Sequence, residues 1–241
     1  MFKYSVRARL LAKDRQLRHM GMNRALALAV ALATGCGIAA AQTSVPPNQV
    51  SPYKDTSMLK PPAGAKVAVI EWEDLECPAC ARAFPIVHEA AAKYHIPLIR
   101  HDFLIPGHIW SKTAAIYARW MEDTISFDYA TDFRRQVFAK QFQIGNQDDI
   151  KQFAENYLKS HGGKSLPFVV DPSGKFTREC EADAALGDKL GLRETPTIIV
   201  VTAHHWIQVK DVMQLYSAID QAQAEAAHEG GAPGARKNVA R

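Results

Sequence analysis

The chain has 241 residues, 47% of them hydrophobic and 22% charged, which is enough apolar side chain for a packed core and excludes a disordered or low-complexity protein. Its formal charge of +4 at pH 7 resides in residues 1–41, where Lys3, Arg7, Arg9, Lys13, Arg15, Arg18 and Arg24 face the single acid Asp14; the remainder carries 22 basic and 24 acidic side chains. A slightly acidic fold has no electrostatic reason to bind nucleic acid, and no nucleic-acid partner is expected.

Ala25 to Ala41 is a run of 17 residues rich in Ala, Leu and Val, too short and too rich in small residues for a comfortable membrane span. It follows Met22-Asn23-Arg24 and ends in Ala39-Ala40-Ala41, the charged start, apolar middle and small-residue end of a secretory signal peptide. Residues 1–41 are therefore expected to be a signal peptide, and the mature protein periplasmic or otherwise exported. An uncleaved anchor and a lipoprotein cleavage before Cys36 are the alternatives. Residues 42–65, with five prolines up to Gly64, read as an extended linker. Beyond the leader the cysteines are Cys77, Cys80 and Cys180, an odd number that does not fit a disulfide-stapled scaffold.

Lys66-Val67-Ala68-Val69-Ile70 is a short β-branched run and reads as a buried strand. Ala81 to Tyr94 reads as a helix with Phe84, Val87 and Ala91 on one face. Between them, Cys77-Pro78-Ala79-Cys80 falls where a strand turns into the first turn of a helix. Unpaired N–H groups and the positive end of the helix dipole favour a thiolate there. Pro78 suits the first helical position, and the two-residue spacing brings Cys80 one turn on, within disulfide reach of Cys77. The local chemistry is that of a redox dithiol. A structural disulfide and half of a zinc site are the bland alternatives, but Cys180 and the scattered histidines show no ligand spacing, so no metal is expected.

A second apolar run, Ile96 to Leu104, makes a β-α-β unit with a parallel strand pair, giving a first fold segment over 66–107. Spacings of three and four then mark helices over Ile109 to Met121, Tyr129 to Phe142 and Ile150 to His161, a helical insertion over 108–165. The second fold segment, 166–227, holds a helix from Asp171-Pro172 to about Leu190, a strand at Ile198 to Val201, a hairpin through His204 and His205 to Trp206–Val209, and a last helix from Val212 to about Ala227, capped by Asp211. Residues 228–241 read as a disordered tail. Cys180 shares a spacing of four with Phe176 and Ala184 and is expected to be buried and inert. Glu73, Asp74 and Glu76 are expected in a solvated loop, and His204 and His205 in a solvated turn.

The order β-α-β, helical insertion, helix, β-β-α, with Cys-Pro-Ala-Cys at the first helix and Thr195-Pro196-Thr197 before the third strand, resembles the DsbA-type branch of the thioredoxin superfamily over roughly Val67 to Ala226. The resemblance implies an α/β thioredoxin fold with an inserted helical domain. It implies that Cys77 is the exposed nucleophile and Cys80 the resolving cysteine, that Pro196 is cis and leaves the backbone before it, at Thr195, free to pair with a substrate strand, and that Glu71, six residues before Cys77, is a buried acid tuning proton transfer. Pro78 and Ala79 would contribute to the surface that meets substrate. Two positions depart from the strongly oxidising members: Ala79 stands where they carry histidine, and Thr195 is the residue type of the isomerase branch.

The expected activity is that of an exported thiol-disulfide oxidoreductase, without a cofactor, exchanging disulfides with cysteine-containing protein substrates. It is expected to act as an oxidase, regenerated by a membrane redox partner, and to be monomeric. A reductase or isomerase using the same residues in reverse is one alternative. A chaperone-like binding module with a static disulfide is the other.

Overall fold

The computed structural model describes residues 44–45, 53–162 and 164–230, all within a unit spanning Gln42–Arg241; the expected signal peptide lies outside the described residues. In chain order the elements are β1 (Ser44–Val45), β2 (Val67–Glu73), α1 (Pro78–Tyr94), β3 (Leu98–Asp102), α2 (Ser111–Thr124), α3 (Phe127–Lys140), α4 (Gln147–Ser160), α5 (Lys175–Leu190), β4 (Thr197–Thr202), β5 (Trp206–Val209) and α6 (Leu215–Gly230).

The sheet runs β1-β5-β4-β2-β3. β2 and β3 are parallel, from Val69 opposite Leu98 to Glu73 opposite Asp102, and the other pairs are antiparallel. β2 and β4 are buried along their whole lengths. Both faces are covered, which is why these strands read as unbroken apolar runs rather than as alternations. On one face Val67, Val69, Ile198 and Val200 pack against Ala83 and Val87 of α1 and Leu215, Ile219 and Ala222 of α6. On the other, Ala68, Ile70, Trp72, Ile199 and Val201 pack against Leu190 of α5, Leu192, Tyr53 and Leu59.

Tyr53 and Leu59 revise the expectation of an extended linker over 42–65. Tyr53 packs on Trp206 with ring centroids 5.1 Å apart, the Lys54 N–H donates to the Leu190 carbonyl at 2.9 Å, and Ser44 and Val45 pair with β5. The apolar side chains scattered among the prolines find a groove on the sheet, a tertiary contact that local composition does not signal.

Helices α2 to α4 follow β3 and build a separate core from Trp110, Ala114, Met121, Phe133, Val137, Phe138, Ile150 and Leu158. That core takes in Leu75, Cys77, Cys80 and Phe84, so the cysteine-bearing turn is packed between it and the sheet. Ser126 and Asn146 cap α3 and α4 by accepting from Tyr129 N–H and from Asp148 and Asp149 N–H. α5 begins at Lys175, three residues after the expected Pro172. Gly174, at φ 71°, turns the chain, and Asp171 reaches forward to accept from the Phe176 and Thr177 N–H groups at 3.2 and 2.9 Å. Asp211 caps a short 3-10 turn at Val212–Gln214 before α6, which runs to Gly230, past the expected start of the tail at 228. The tail from 231 lies outside the described residues.

Candidate active site

β2 delivers the chain to the dithiol. After Glu73 the backbone turns, with the Cys77 N–H donating to the Asp74 carbonyl at 3.0 Å, and Cys77 takes the extended N-cap conformation (φ −80°, ψ 118°). Pro78 then opens α1, where its missing N–H leaves no bond unmade. Cys77, Cys80 and Cys180 are thiols in this structure. Cys80 is fully enclosed, and Cys77 retains 8% exposure beside exposed Pro78 and half-buried Ala79.

Antiparallel pairing of β4 with β2 brings the start of β4 to the end of β2, with Thr197 opposite Trp72. This places the loop before β4 against the dithiol. The Thr195–Pro196 peptide bond is cis, and the Cys77 thiol donates to the Thr195 carbonyl at 3.4 Å. Thr195 and Pro196 are half-buried.

The two sulfurs have opposite electrostatics. Cys77 is held down to about 5, first by a hydrogen bond from Cys80, and further by the Thr195 hydroxyl and the N–H groups of Cys80 and Ala79; burial opposes them. Cys80 is pushed far up by burial, by its hydrogen bond to Cys77 and by the negative charge at Cys77. The Asp74 N–H points at the Cys80 sulfur from 3.5 Å. Of the two thiols, Cys77 is therefore the one that gives up its proton more readily.

Glu71 is fully buried on the face of β2 that meets α1, and neither carboxylate oxygen has a protein partner. Burial, followed by the neighbouring charge of Glu73, raises its pKa well above the usual carboxylate range. Glu73, on the same face, is also buried, but its Oε1 meets Arg134 Nη1 at 3.0 Å and Arg100 Nε at 3.4 Å. Arg134 reaches in from α3 and also binds both oxygens of Asp102, at 2.7 and 3.1 Å.

Glu73, Asp74 and Glu76 therefore do not form the solvated loop expected of them. Asp74 accepts from the Glu76 and Ile105 N–H groups, both at 2.8 Å, and pairs with His108 Nδ1 at 2.9 Å. Glu76 Oε2 accepts from the Trp110 and Ser111 N–H groups at 2.7 and 3.0 Å, satisfying the start of α2. Three neighbouring acids are tolerated because each meets a different set of donors, which the run of charges does not disclose.

Gln141 is a further residue that sequence reasoning passed over. Its side-chain amide donates to the Leu75 carbonyl at 2.7 Å and the Cys77 carbonyl at 3.1 Å, tying the dithiol loop to the helical segment. Arg134 and Gln141 both fall within the apolar spacing of Phe133, Val137 and Phe138, and a polar residue on such a face is the one signal that could have marked them. Cys180 is buried as expected. Its thiol lies 3.9 Å from Asp102 Oδ2 and is pushed up to about 12 by burial and by that carboxylate. Among the described residues no group of three or more His, Cys, Asp or Glu side chains is arranged to hold a metal ion.

The family model described as Thioredoxin matches residues 56–221, which contain both cysteines and the cis-proline. The chain belongs to the thioredoxin family. Its fold is thioredoxin-like and shared with DsbA-type structures. BdbD from Bacillus subtilis in its oxidised form is 21% identical, with a TM-score of 0.56, over 74% of this chain and 98% of that one. The thiol-disulfide exchange protein alpha-DsbA2 from Wolbachia pipientis is 17% identical, with a TM-score of 0.53, over 67% and 84%. A periplasmic thioredoxin-like protein from Salmonella enterica serovar Typhimurium is 18% identical, with a TM-score of 0.54, over 67% and 87%. Among curated proteins, the chain is 26% identical over 166 residues to the Na(+)/H(+) antiporter NhaA 1 of Mycolicibacterium gilvum, a match to 65% of this chain and 25% of the antiporter. The thioredoxin-family chain thus spans about a quarter of the length of the curated relatives it matches. None of the described helices is long and apolar enough to cross a membrane.

Proposed function

We propose that the protein is an exported thiol-disulfide oxidoreductase that exchanges disulfides with cysteines of other proteins, and that it works as an oxidase. The observation that carries the proposal is the asymmetry of the dithiol: Cys77 keeps a small exposed area beside Thr195 and its pKa is held down, whereas Cys80 is fully enclosed and its pKa is pushed far up. A substrate thiolate attacks the Cys77 sulfur of the Cys77–Cys80 disulfide, Cys80 leaves, and a second substrate thiol displaces Cys77 from the mixed disulfide. The substrate is oxidised and the enzyme left as a dithiol, to be reoxidised by a membrane redox partner.

Stabilisation of the Cys77 thiolate favours the reduced enzyme and so makes its disulfide the better oxidant, which supports the oxidase direction over the reductase. Pro78 and Ala79 on one side and Thr195 and Pro196 on the other line the approach to Cys77, with the Thr195 backbone offered to an extended substrate. Glu71 holds a proton beneath α1. Export rests on the signal-like residues 1–41 and is supported by the periplasmic description of the Salmonella relative. The working form is a monomer.

Equilibration with glutathione tests the direction: a reduction potential near about −120 mV is expected for an oxidase, and a value of about −200 mV or below overturns it in favour of reduction or isomerisation. Cys77→Ser abolishes exchange and Cys80→Ser accumulates mixed disulfides with substrate. If both variants oxidise substrate like the parent chain, the dithiol is a static element and the protein a binding module.

A further inference from the structure

Opening a Cys77–Cys80 disulfide puts negative charge on the Cys80 sulfur, and Cys80 has no exposed surface at which water could meet that charge. An enclosed anion without a donor is costly. One donor is in place: the Asp74 N–H lies 3.5 Å from the Cys80 sulfur, six residues before it in the chain. Burial pushes the Cys80 thiol far up, and the hydrogen bond and charge of Cys77 add to this, whereas the Asp74 N–H pulls the other way.

The peptide that carries this N–H is held on both sides. Its carbonyl, that of Glu73, accepts from the Phe103 N–H at 2.9 Å, just beyond the end of β3. The buried Asp74 carboxylate is engaged with other donors: Oδ1 accepts from the Glu76 N–H and Oδ2 from the Ile105 N–H, both at 2.8 Å, and His108 Nδ1 is 2.9 Å from Oδ2. The segment after β3 thus fixes the plane of the Glu73–Asp74 peptide, and with it the direction of the N–H. We propose that the Asp74 N–H is the donor that stabilises negative charge on the Cys80 sulfur while the Cys77–Cys80 bond opens and closes. This rests on the exchange reading above and supplies it with a catalytic group for the leaving sulfur.

In the opening step a substrate thiolate attacks the Cys77 sulfur and a bond between the two sulfurs forms. The Cys77–Cys80 bond breaks, Cys80 leaves with the electron pair, and its contact with the Asp74 N–H tightens into a charge-assisted hydrogen bond. Cys80 then takes up the proton that the substrate thiol gave up on ionising, and one disulfide has replaced another. Closure is the same path reversed: the Cys80 thiolate attacks the Cys77 sulfur and the substrate sulfur leaves as a thiolate. Cys80 is neutral in the disulfide and neutral as a thiol, and carries charge only in between. A donor to that charge lowers the barrier in both directions and leaves the equilibrium where it was. Cys77 is served by other groups, those of Cys80, Thr195 and Ala79, so its own attack on a disulfide does not draw on Asp74.

The test takes the full chain with Cys36→Ala and Cys180→Ala as parent and compares Asp74→Ala, which keeps the N–H and loses the carboxylate, with Asp74→Pro, which loses both. Glu73 ends a strand, and extended backbone is what a residue before proline adopts. Each dithiol chain is mixed at pH 7 with 5,5′-dithiobis(2-nitrobenzoate). The first nitrothiobenzoate released reports attack by Cys77, and the second reports closure by Cys80. Absence of the first release in the parent removes the exchange reading itself. Given that release, Asp74→Pro closes about 4- to 15-fold more slowly than Asp74→Ala: a thiolate deprived of its donor is scarcer but more nucleophilic, so about half of the lost stabilisation reaches the rate. The first release is the same in both variants. Glutathione opens their disulfides with the same ratio of rates, and their equilibria with glutathione agree within about twofold. Equal closing rates in the two variants overturn the inference. So does a first release that falls in step with the second, or an equilibrium that moves by the full ratio, since either means that proline distorts the turn instead of removing a donor. Should Asp74→Pro fail to fold, an ester in place of the Glu73–Asp74 peptide bond deletes the N–H and keeps the side chain, and the same rates measured against the parent decide.

Discussion

The Gln141 side chain donates to the Cys77 carbonyl at 3.1 Å, so a residue at the end of the third helix holds the backbone of the dithiol turn from outside the sheet. The same amide serves the Leu75 carbonyl at 2.7 Å. Gln141→Leu leaves two carbonyls without this donor, and a loss of about 1–3 kcal/mol in stability is expected by chemical denaturation. The same variant moves the alkylation titration of Cys77 to higher pH, because the turn that aims N–H groups at the sulfur is loosened.

Cys77 is expected to react with iodoacetamide along a titration centred near 5, with Cys80 silent over the same range. The lowered pKa also makes stability depend on pH. An unfolded thiol titrates near about 8.5 and the folded one well below it. The thiolate therefore contributes stability that is complete above the unfolded value, declines as pH falls, and is gone below the folded value. The stability difference between the dithiol chain and Cys77→Ser should shrink steadily from pH 9 to pH 5. A difference independent of pH would mean that the thiolate is not stabilised by the fold.

Glu76 acts as a cap for α2 across 34 residues of chain, through Trp110 and Ser111. Glu76→Ala should lower stability by about 1–2 kcal/mol, the size of a lost helix cap. Thermal unfolding of the variant beside a substitution at an unpaired surface acid would separate this cap from a general effect of charge.

Gly187 lies in α5 where an added Cβ would come within 2.6 Å of the Phe103 ring. Replacing a mid-helix glycine by alanine ordinarily stabilises by about 0.5–1 kcal/mol. Here the ring is packed among Trp72, Leu190 and Leu192, and the expected sign is reversed, with Gly187→Ala destabilising by about 1–3 kcal/mol. A rise in the unfolding midpoint would show that α5 can move off the ring at little cost.

The elements that local pattern alone can specify were legible: the β-branched runs of β2 and β4, the three- and four-residue spacings of α1 to α4, and the Cys-Pro-Ala-Cys turn between strand and helix. The linker was not, since Tyr53 and Leu59 are ordered by a groove made of strands far along the chain. The depth of the acids was not either.

What the sequence by itself determined is the dithiol and its position: Pro78 starts a helix, the spacing brings Cys80 one turn after Cys77, and the helix start favours an anion. The tertiary structure decided how the charges around it are shared. Which of Glu71 and Glu73 keeps its proton depends on where Arg100 and Arg134 reach, and those side chains arrive from β3 and α3 by way of a fold that no local spacing encodes. Electrostatic energies in a buried site vary with distance and desolvation, and both quantities exist only once the chain has packed.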